Sequence, residues 1–213
     1  MNKYFLSFII VLVASGRPVF ATDVLTVSDS WAIPGMNAKE IAITLNNEQT
    51  YSSFQFDLYL PEGIIINSFT AEKRLPTQTN LQMNQQKDGS YRFIAVTSDL
   101  KKSISGNSGS LIKLSVSISE NCQRGSLQGY FKNVKLSDAN GEGNTYSEIP
   151  FSFIVSTIGD VNSDGFINVA DAVEMANYIL QKPSNNFRKE FSDLNGDSII
   201  NVADIVKLVL SIP

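Results

Sequence analysis

Asp160-Val-Asn-Ser-Asp-Gly-Phe-Ile-Asn-Val-Ala-Asp171 is repeated further along the chain as Asp193-Leu-Asn-Gly-Asp-Ser-Ile-Ile-Asn-Val-Ala-Asp204. Counted from the first Asp, oxygen-bearing side chains fall at positions 1, 3, 5, 9 and 12. These are Asp160, Asn162, Asp164, Asn168 and Asp171 in the first copy, and Asp193, Asn195, Asp197, Asn201 and Asp204 in the second. A hard cation such as Ca²⁺ gathers about 6–8 oxygens, and one tight loop wraps it only if alternate residues turn inward. The backbone carbonyls of Phe166 and Ile199 fill position 7. The spacing therefore predicts two Ca²⁺ ions, one in each loop.

The pattern departs from an EF-hand in two respects. Position 12 is Asp rather than a bidentate Glu, so the loop closes more tightly, and position 6 is Gly165 in the first copy but Ser198 in the second. Glycine reaches positive φ without penalty and serine does not, so the second loop is expected to be strained or weaker. An EF-hand also has a helix on each side of its loop. Here Phe151-Ser-Phe-Ile-Val-Ser-Thr-Ile158 before the first loop reads as a strand, and only the segment after each loop reads as a helix.

A loop followed by one helix, given twice with Asn-Val-Ala-Asp at the join, resembles the dockerin family, the Ca²⁺-dependent anchoring module of cellulosome-type assemblies. The resemblance covers Gly159 to Pro213. It implies a small all-α domain, residues 157–213, made of two Ca-loop–helix repeats. After Asp171, Ala172, Val173, Met175, Ala176, Ile179 and Leu180 follow helical spacing, with Pro183 as the expected stop. Ile205, Val206, Leu208, Val209 and Ile212 repeat this after Asp204, and Phe187 and Phe191 between the halves are expected core plugs. So small a domain needs a staple, and no disulfide is available. From Gly159 onward eight acids face four bases, and six of the acids are loop ligands, so two Ca²⁺ ions would neutralise the excess. The module is expected to be largely unfolded without calcium.

The dockerin resemblance also implies where a receptor is met, just inside the end of each loop and along the following helix. Those positions are Val169, Ala170, Val202 and Ala203, with Ala176, Asn177 and Gln181 further along the first helix. Many dockerins carry Ser-Thr at the paired positions, so this more apolar pair implies a different receptor specificity. Because the copies match, either could present the binding face, in two orientations related by a pseudo-two-fold. Val169 and Val202 could equally pack the paired loops together.

The chain opens Met1-Asn-Lys-Tyr, is almost wholly apolar from Phe5 to Ala14, and reaches Val19-Phe-Ala21 with small residues where a signal peptidase reads. Residues 1–21 are expected to be a secretory signal peptide, cleaved after Ala21. No other stretch approaches the roughly 18–20 apolar residues of a membrane span, so no transmembrane segment is expected. The expected location is secreted: extracellular, in a cell-surface complex, or periplasmic. There is no His, which removes the commonest general base and zinc ligand together. Cys122 is alone and can neither staple the fold nor build a thiolate site, so it reads as a buried structural residue in a strand. Net charge is mildly acidic with no basic cluster, which argues against a nucleic-acid partner.

Residues 22–156 are written in strands. Ile41, Ile43 and Leu45 alternate with Ala42 and Thr44, and Phe54, Phe56, Leu58 and Leu60 alternate with Gln55, Asp57 and Tyr59. The same period of two returns in Ile112, Leu114, Val116 and Ile118 and in Phe151, Phe153 and Val155, with Pro34-Gly35, Asp88-Gly89 and Asn140-Gly141 among the turn signals. The pattern predicts an all-β sandwich or a flattened barrel. The order Ser53–Ile64, Gly109–Val116, Val134–Gly141 and a closing strand resembles the cohesins. That family has a nine-stranded jelly-roll sandwich shared with certain carbohydrate-binding modules, and its members are the receptors that dockerins bind.

Trp31, Tyr51, Tyr59, Tyr91 and Tyr130 read either as sugar-stacking platforms or as core and rim packing. Glycoside hydrolysis needs two carboxylates about 5–9.5 Å apart. Asp57, Glu62, Asp88 and Asp99 are scattered singly and read as solvated surface charge. The expectation is a non-catalytic, calcium-binding assembly protein: a cohesin-like sandwich whose dockerin tethers it in a cellulosome-like polysaccharide-degrading complex. Its partner would be a cohesin-type receptor domain or a dockerin-bearing protein. The alternative is a carbohydrate-binding sandwich, with a polysaccharide partner, anchored through the dockerin.

Overall fold

The computed structural model describes residues 23–99 and 102–212, and the expected signal peptide lies outside them. Ten strands come first: β1 (Val24–Ser28), β2 (Trp31–Ala32), β3 (Lys39–Asn46), β4 (Ser53–Tyr59), β5 (Ile64–Ala71), β6 (Thr79–Gln85), β7 (Tyr91–Thr97), β8 (Ser110–Ile118), β9 (Gly125–Ser137) and β10 (Gly143–Val155). Helices α1 (Val169–Ile179) and α2 (Val202–Ser211) follow, with a 3-10 turn, Lys189–Phe191, between them. The cohesin resemblance implied nine strands. The described residues form ten, the shortest being the two-residue β2.

The strands make two sheets, ordered β1-β3-β8-β5 and β2-β10-β9-β4-β7-β6. Alternation puts Ile41, Ile43 and Leu45 of β3 and Ile112, Leu114 and Val116 of β8 into one buried cluster with Phe54, Phe56 and Leu58 of β4, so the two inner faces share a single core. Phe56 sits at its centre, its ring centroid 5.3 Å from both Phe93 and Phe131. β2 runs parallel to the end of β10, with Trp31 opposite Ile154 and Ala32 opposite Val155.

Two residues are placed otherwise than expected. Asp57 is no surface charge but is 2 % exposed. The β4–β9 register shifts between Gln55 and Asp57, and Asn133, in the β9 segment beside the shift, has φ +51. Asn133 Nδ2 then donates to Asp57 Oδ2 at 2.8 Å, while Arg92 grips both carboxylate oxygens at 2.6 and 2.8 Å. Cys122 is buried as expected, but in the turn between β8 and β9 rather than in a strand. Its thiol lies 3.3 Å from the Glu62 carbonyl, and burial pushes its pKa up.

The helical segment has a separate small core of Val161, Ala172, Met175 and Leu208, with Ile167, Phe187, Leu194, Ile200 and Ile205 packed around it. Pro183 does not end α1. The helix stops at Ile179, where Gln181 turns to φ +59, its N–H bonds Tyr178 O at 2.9 Å, and Lys182 N–H bonds Asn177 O at 2.8 Å. These two bonds make a Schellman closure that satisfies the last carbonyls before proline is reached. Phe187 stacks on Tyr178 at 4.5 Å. Phe191 is fully buried, but its ring meets the edge of Trp31 in the sandwich at 5.8 Å.

Candidate metal loops and docking face

Each repeat folds around the carboxylate at its twelfth position. In the first, Asp171 Oδ1 accepts from the backbone N–H groups of Val161 and Asn162 at 2.9 and 3.3 Å, and Oδ2 accepts from Asn168 N at 2.9 Å. In the second, Asp204 Oδ1 accepts from Leu194 and Asn195 at 3.0 and 3.2 Å, and Oδ2 from Asn201 at 3.0 Å. The same residue is N3 of the following helix and closes a capping box with Asn168 or Asn201 as N-cap. Loop and helix are therefore fastened by one side chain.

Positions 1, 3 and 5 are drawn together by the same kind of bond. Asn162 Oδ1 and Asp160 Oδ1 both accept from Asp164 N, and Asn162 Nδ2 donates to Asp164 Oδ2 at 2.9 Å. Asn195 and Asp197 repeat the pattern, with Asn195 Nδ2 to Asp197 Oδ2 at 2.9 Å and Asp197 N to Asn195 Oδ1 at 2.8 Å. The backbone N–H at position 6, from Gly165 or Ser198, donates to the first Asp at 3.1 or 2.9 Å. Asn168 and Asn201 spend their side-chain oxygens as helix caps, each accepting at 2.7 Å from Ala170 N or Ala203 N. Phe166 and Ile199 turn their side chains to solvent.

Among the described residues, no three carboxylate, thiol or imidazole groups converge closely enough to cage an ion by themselves. The donor set is instead a mixture of carboxylate, amide and carbonyl oxygens. Its chemistry suits a hard cation. The charge balance agrees, because Asp160, Asp171 and Asp204 are all at most 1 % exposed, and the ion pairs found among the described residues involve none of them. Burial, with Asp160 nearby, raises the pKa of Asp171 even though three backbone N–H groups hold the carboxylate down. A bound cation would reverse that penalty. The residues present therefore fit Ca²⁺.

The first loop also touches the sandwich, which sequence reasoning did not foresee. Ser156, the residue after β10, donates from Oγ to Asp160 Oδ2 at 2.5 Å, and both are buried. Ser156 N is itself held by Ala32 O at 3.1 Å. Gly159 N donates to Phe191 O at 2.8 Å, at φ +101, where an added Cβ would meet Leu208 at 3.1 Å. On the other side of Phe191 lies Trp31, with Lys39 Nζ 3.7 Å above its ring. Trp31 is thus a packing residue at the junction. Tyr51 and Tyr91 are also buried, whereas Tyr59 and Tyr130 reach the outer face of the six-stranded sheet on either side of Lys132 Nζ, 5.1 and 5.4 Å from their rings.

Around the loops the helices leave apolar side chains uncovered. Val169 and Val202 are 65 % and 62 % exposed, so they do not pack the loops together. Phe166, Val173 and Leu180 in the first repeat, and Ile199, Val206, Val209 and Leu210 in the second, are also exposed, and Val169 and Val173 on α1, like Val202, Val206 and Val209 on α2, fall on one side of their helix by spacing. Ala170, Ala203 and Gln181 are exposed as well, and Asn177 is half-buried.

Comparison with known proteins reaches the two parts separately. No curated protein matches the chain. The sandwich is similar to the seventh ScaB type I cohesin from Pseudobacteroides cellulosolvens (TM-score 0.52, 15 % identity, covering 63 % of this chain and 92 % of that one). It is also similar to a non-cellulosomal cohesin from Archaeoglobus fulgidus (0.52, 13 %, 64 % and 93 %). A third similarity is to a chain of the Coh-OlpA-Doc918 type I cohesin–dockerin complex from Clostridium thermocellum (0.53, 13 %, 63 % and 99 %). At these identities the likeness is one of fold. Residues 158–210 match the family model of the dockerin type I domain. The chain thus joins a sandwich of cohesin-like fold to a segment, residues 158–210, that matches the dockerin type I domain.

Proposed function

We propose that the protein is an exported, calcium-binding, non-catalytic assembly protein whose C-terminal module docks, with its two loops loaded, onto a cohesin-type receptor domain. The observation that carries this reading is the set of exposed apolar side chains on two loop–helix repeats of matching hydrogen-bond pattern, within a segment that matches the dockerin type I domain. Asp160, Asn162, Asp164, Asp171 and the Phe166 carbonyl hold the first Ca²⁺, and Asp193, Asn195, Asp197, Asp204 and the Ile199 carbonyl hold the second. Asn168 and Asn201 stand at the ninth position as caps, a place from which an EF-hand residue often reaches its ion through water. Ca²⁺ supplies positive charge to the buried carboxylates. The loop residues then set the helix starts, and the helices present Val169, Ala170, Val202, Ala203, Asn177 and Gln181.

In the sandwich, the reading as a binding domain draws support from two of the carboxylates. Asp57 and Asp88 are held below the ordinary range, Asp57 by Arg92 and Asp88 by Tyr59 and Ser90. Glycoside cleavage needs the opposite, a carboxyl kept protonated to donate to the leaving oxygen. Passing the full chain over immobilised proteins from the secreted and envelope fractions of its source, in Ca²⁺ and again in EDTA, tests the reading. Retention of cohesin-bearing proteins only in Ca²⁺ is the expected result. Ca²⁺-independent retention, or retention on polysaccharide alone, would overturn it.

A further inference from the structure

The first loop and the sandwich share a wall. β10 runs to Val155, and Ser156 is fixed to the short edge strand β2 through Ala32. Four residues on, its hydroxyl meets Asp160, the first residue of the first loop, in a contact from which solvent is excluded. Across the same junction Phe191 is clamped between Trp31 and the Gly159 backbone, its carbonyl receiving the Gly159 N–H. Among the described residues the second loop has no counterpart: Asp193 accepts from Gly196 and Ser198, both inside its own loop, and is half-exposed.

A carboxylate that must offer an oxygen to a cation gains from having its other bonds already in place, because its orientation is then not lost on binding. Asp160 is aimed by a donor whose backbone is bonded to the sandwich, and Gly159 between them is held by the backbone carbonyl of Phe191, whose fully buried ring packs on Trp31 and lies outside the helical core cluster. We infer that Ser156 and Trp31 are positioning residues for the first cation loop, so that the sandwich sets the ion affinity of that loop and not of the second. This rests on the calcium reading of the loops. It makes the two repeats unequal despite their matching sequences: one is built into the junction, the other stands free. Ion binding at the first loop also fixes Asp160 against Ser156, and through them the angle at which the helical module leaves the sandwich.

The backbone N–H groups of Gly165 and Ser198 report the two loops separately, since each donates to the first Asp of its own loop. Ca²⁺ titration of the full chain, followed by NMR at these two amides, is compared for the native chain, Ser156→Ala, Trp31→Ala and Trp31→Phe. Loss of a buried hydrogen bond to a charged group predicts that the Gly165 midpoint rises roughly tenfold in Ser156→Ala. The midpoint also rises in Trp31→Ala and is largely restored in Trp31→Phe, which keeps an aromatic ring against Phe191. The Ser198 midpoint stays where it was in all three. If Ser156→Ala leaves Gly165 unmoved, or moves both amides equally, the inference fails while the calcium reading stands. If neither amide of the native chain responds to Ca²⁺, the calcium reading fails and takes the inference with it. Ser156→Ala removes only a hydroxyl and keeps the question decidable should the tryptophan variants disturb the edge strand.

Discussion

Ser198 stands in the second loop where Gly165 stands in the first, and both backbones pass through positive φ, +66 for the serine and +92 for the glycine. Two positions earlier the residues are exchanged: Ser163 at φ +58 in the first loop, Gly196 at φ +78 in the second. Each loop therefore carries one serine in a conformation that favours glycine, at a cost of about 1 kcal/mol. Replacing Ser198 by Gly should tighten the second loop for Ca²⁺ about three- to fivefold. Isothermal titration would show it as a selective gain in one of two binding steps, and a loss of affinity would mean that the Ser198 side chain contributes more than its backbone strain costs.

Removing the cation should melt one part of the chain and spare the other. The helical core has only three fully buried apolar residues, Val161, Met175 and Leu208, with Ala172 nearly so, whereas the sandwich buries a continuous two-sheet cluster of its own. Addition of EDTA is expected to abolish most of the helical far-UV signal while the thermal transition of the sandwich persists. Helical signal that survives chelation would show that the small core and its capping boxes suffice.

Asp57 and Arg92 should matter most at low pH. The guanidinium beside Asp57 holds its carboxyl below the ordinary value of about 3.9. A depressed folded value means that the pair's contribution is complete above the ordinary value and is lost as pH falls from there through the folded value. Arg92→Ala leaves a buried carboxylate facing only Asn133. The variant is expected to lose stability near neutral pH, and the loss to shrink in acid. Urea denaturation at neutral pH and at about pH 3 measures both limbs. An equal loss at the two would refute the assignment.

The exposed valines should be separable from folding. Val169→Asp and Val202→Asp place a charge where the side chain already faces water, so Ca²⁺ affinity and melting should change little. Receptor binding, if it uses this face, should fall at least tenfold in the double variant. A double variant that binds as well as the native chain would move the docking surface elsewhere.

The two repeats were legible because the same polar residues recur at the same spacing, and the strands because a shared core imposes a period of two on β3, β4 and β8. β5 and β6 were much harder to read, since Ile65 and Ile66 are adjacent apolar residues and most of β6 is polar. Asp57 was misread for a related reason. An outward alternation suggests solvent, yet the neighbouring bulge brings Asn133 over it and Arg92 beside it. Such a contact depends on register between strands distant in sequence. The same holds at the junction, where nothing in a lone Ser156 or Trp31 announces a partner. The end of α1 was placed at Pro183 because proline is a visible stop, whereas a Schellman closure with Gln rather than Gly at its turn leaves no trace in the sequence.

β10 is long, runs antiparallel to β9 along its whole length, takes β2 as a parallel neighbour at its last residues, and passes into the first loop within a few residues. Tension applied through a docked helical module therefore enters the sandwich along the axis of its longest ladder. The backbone bonds on either side of β10 are loaded together, in shear, rather than one after another as in unzipping. Such an arrangement yields only when many bonds give way at once.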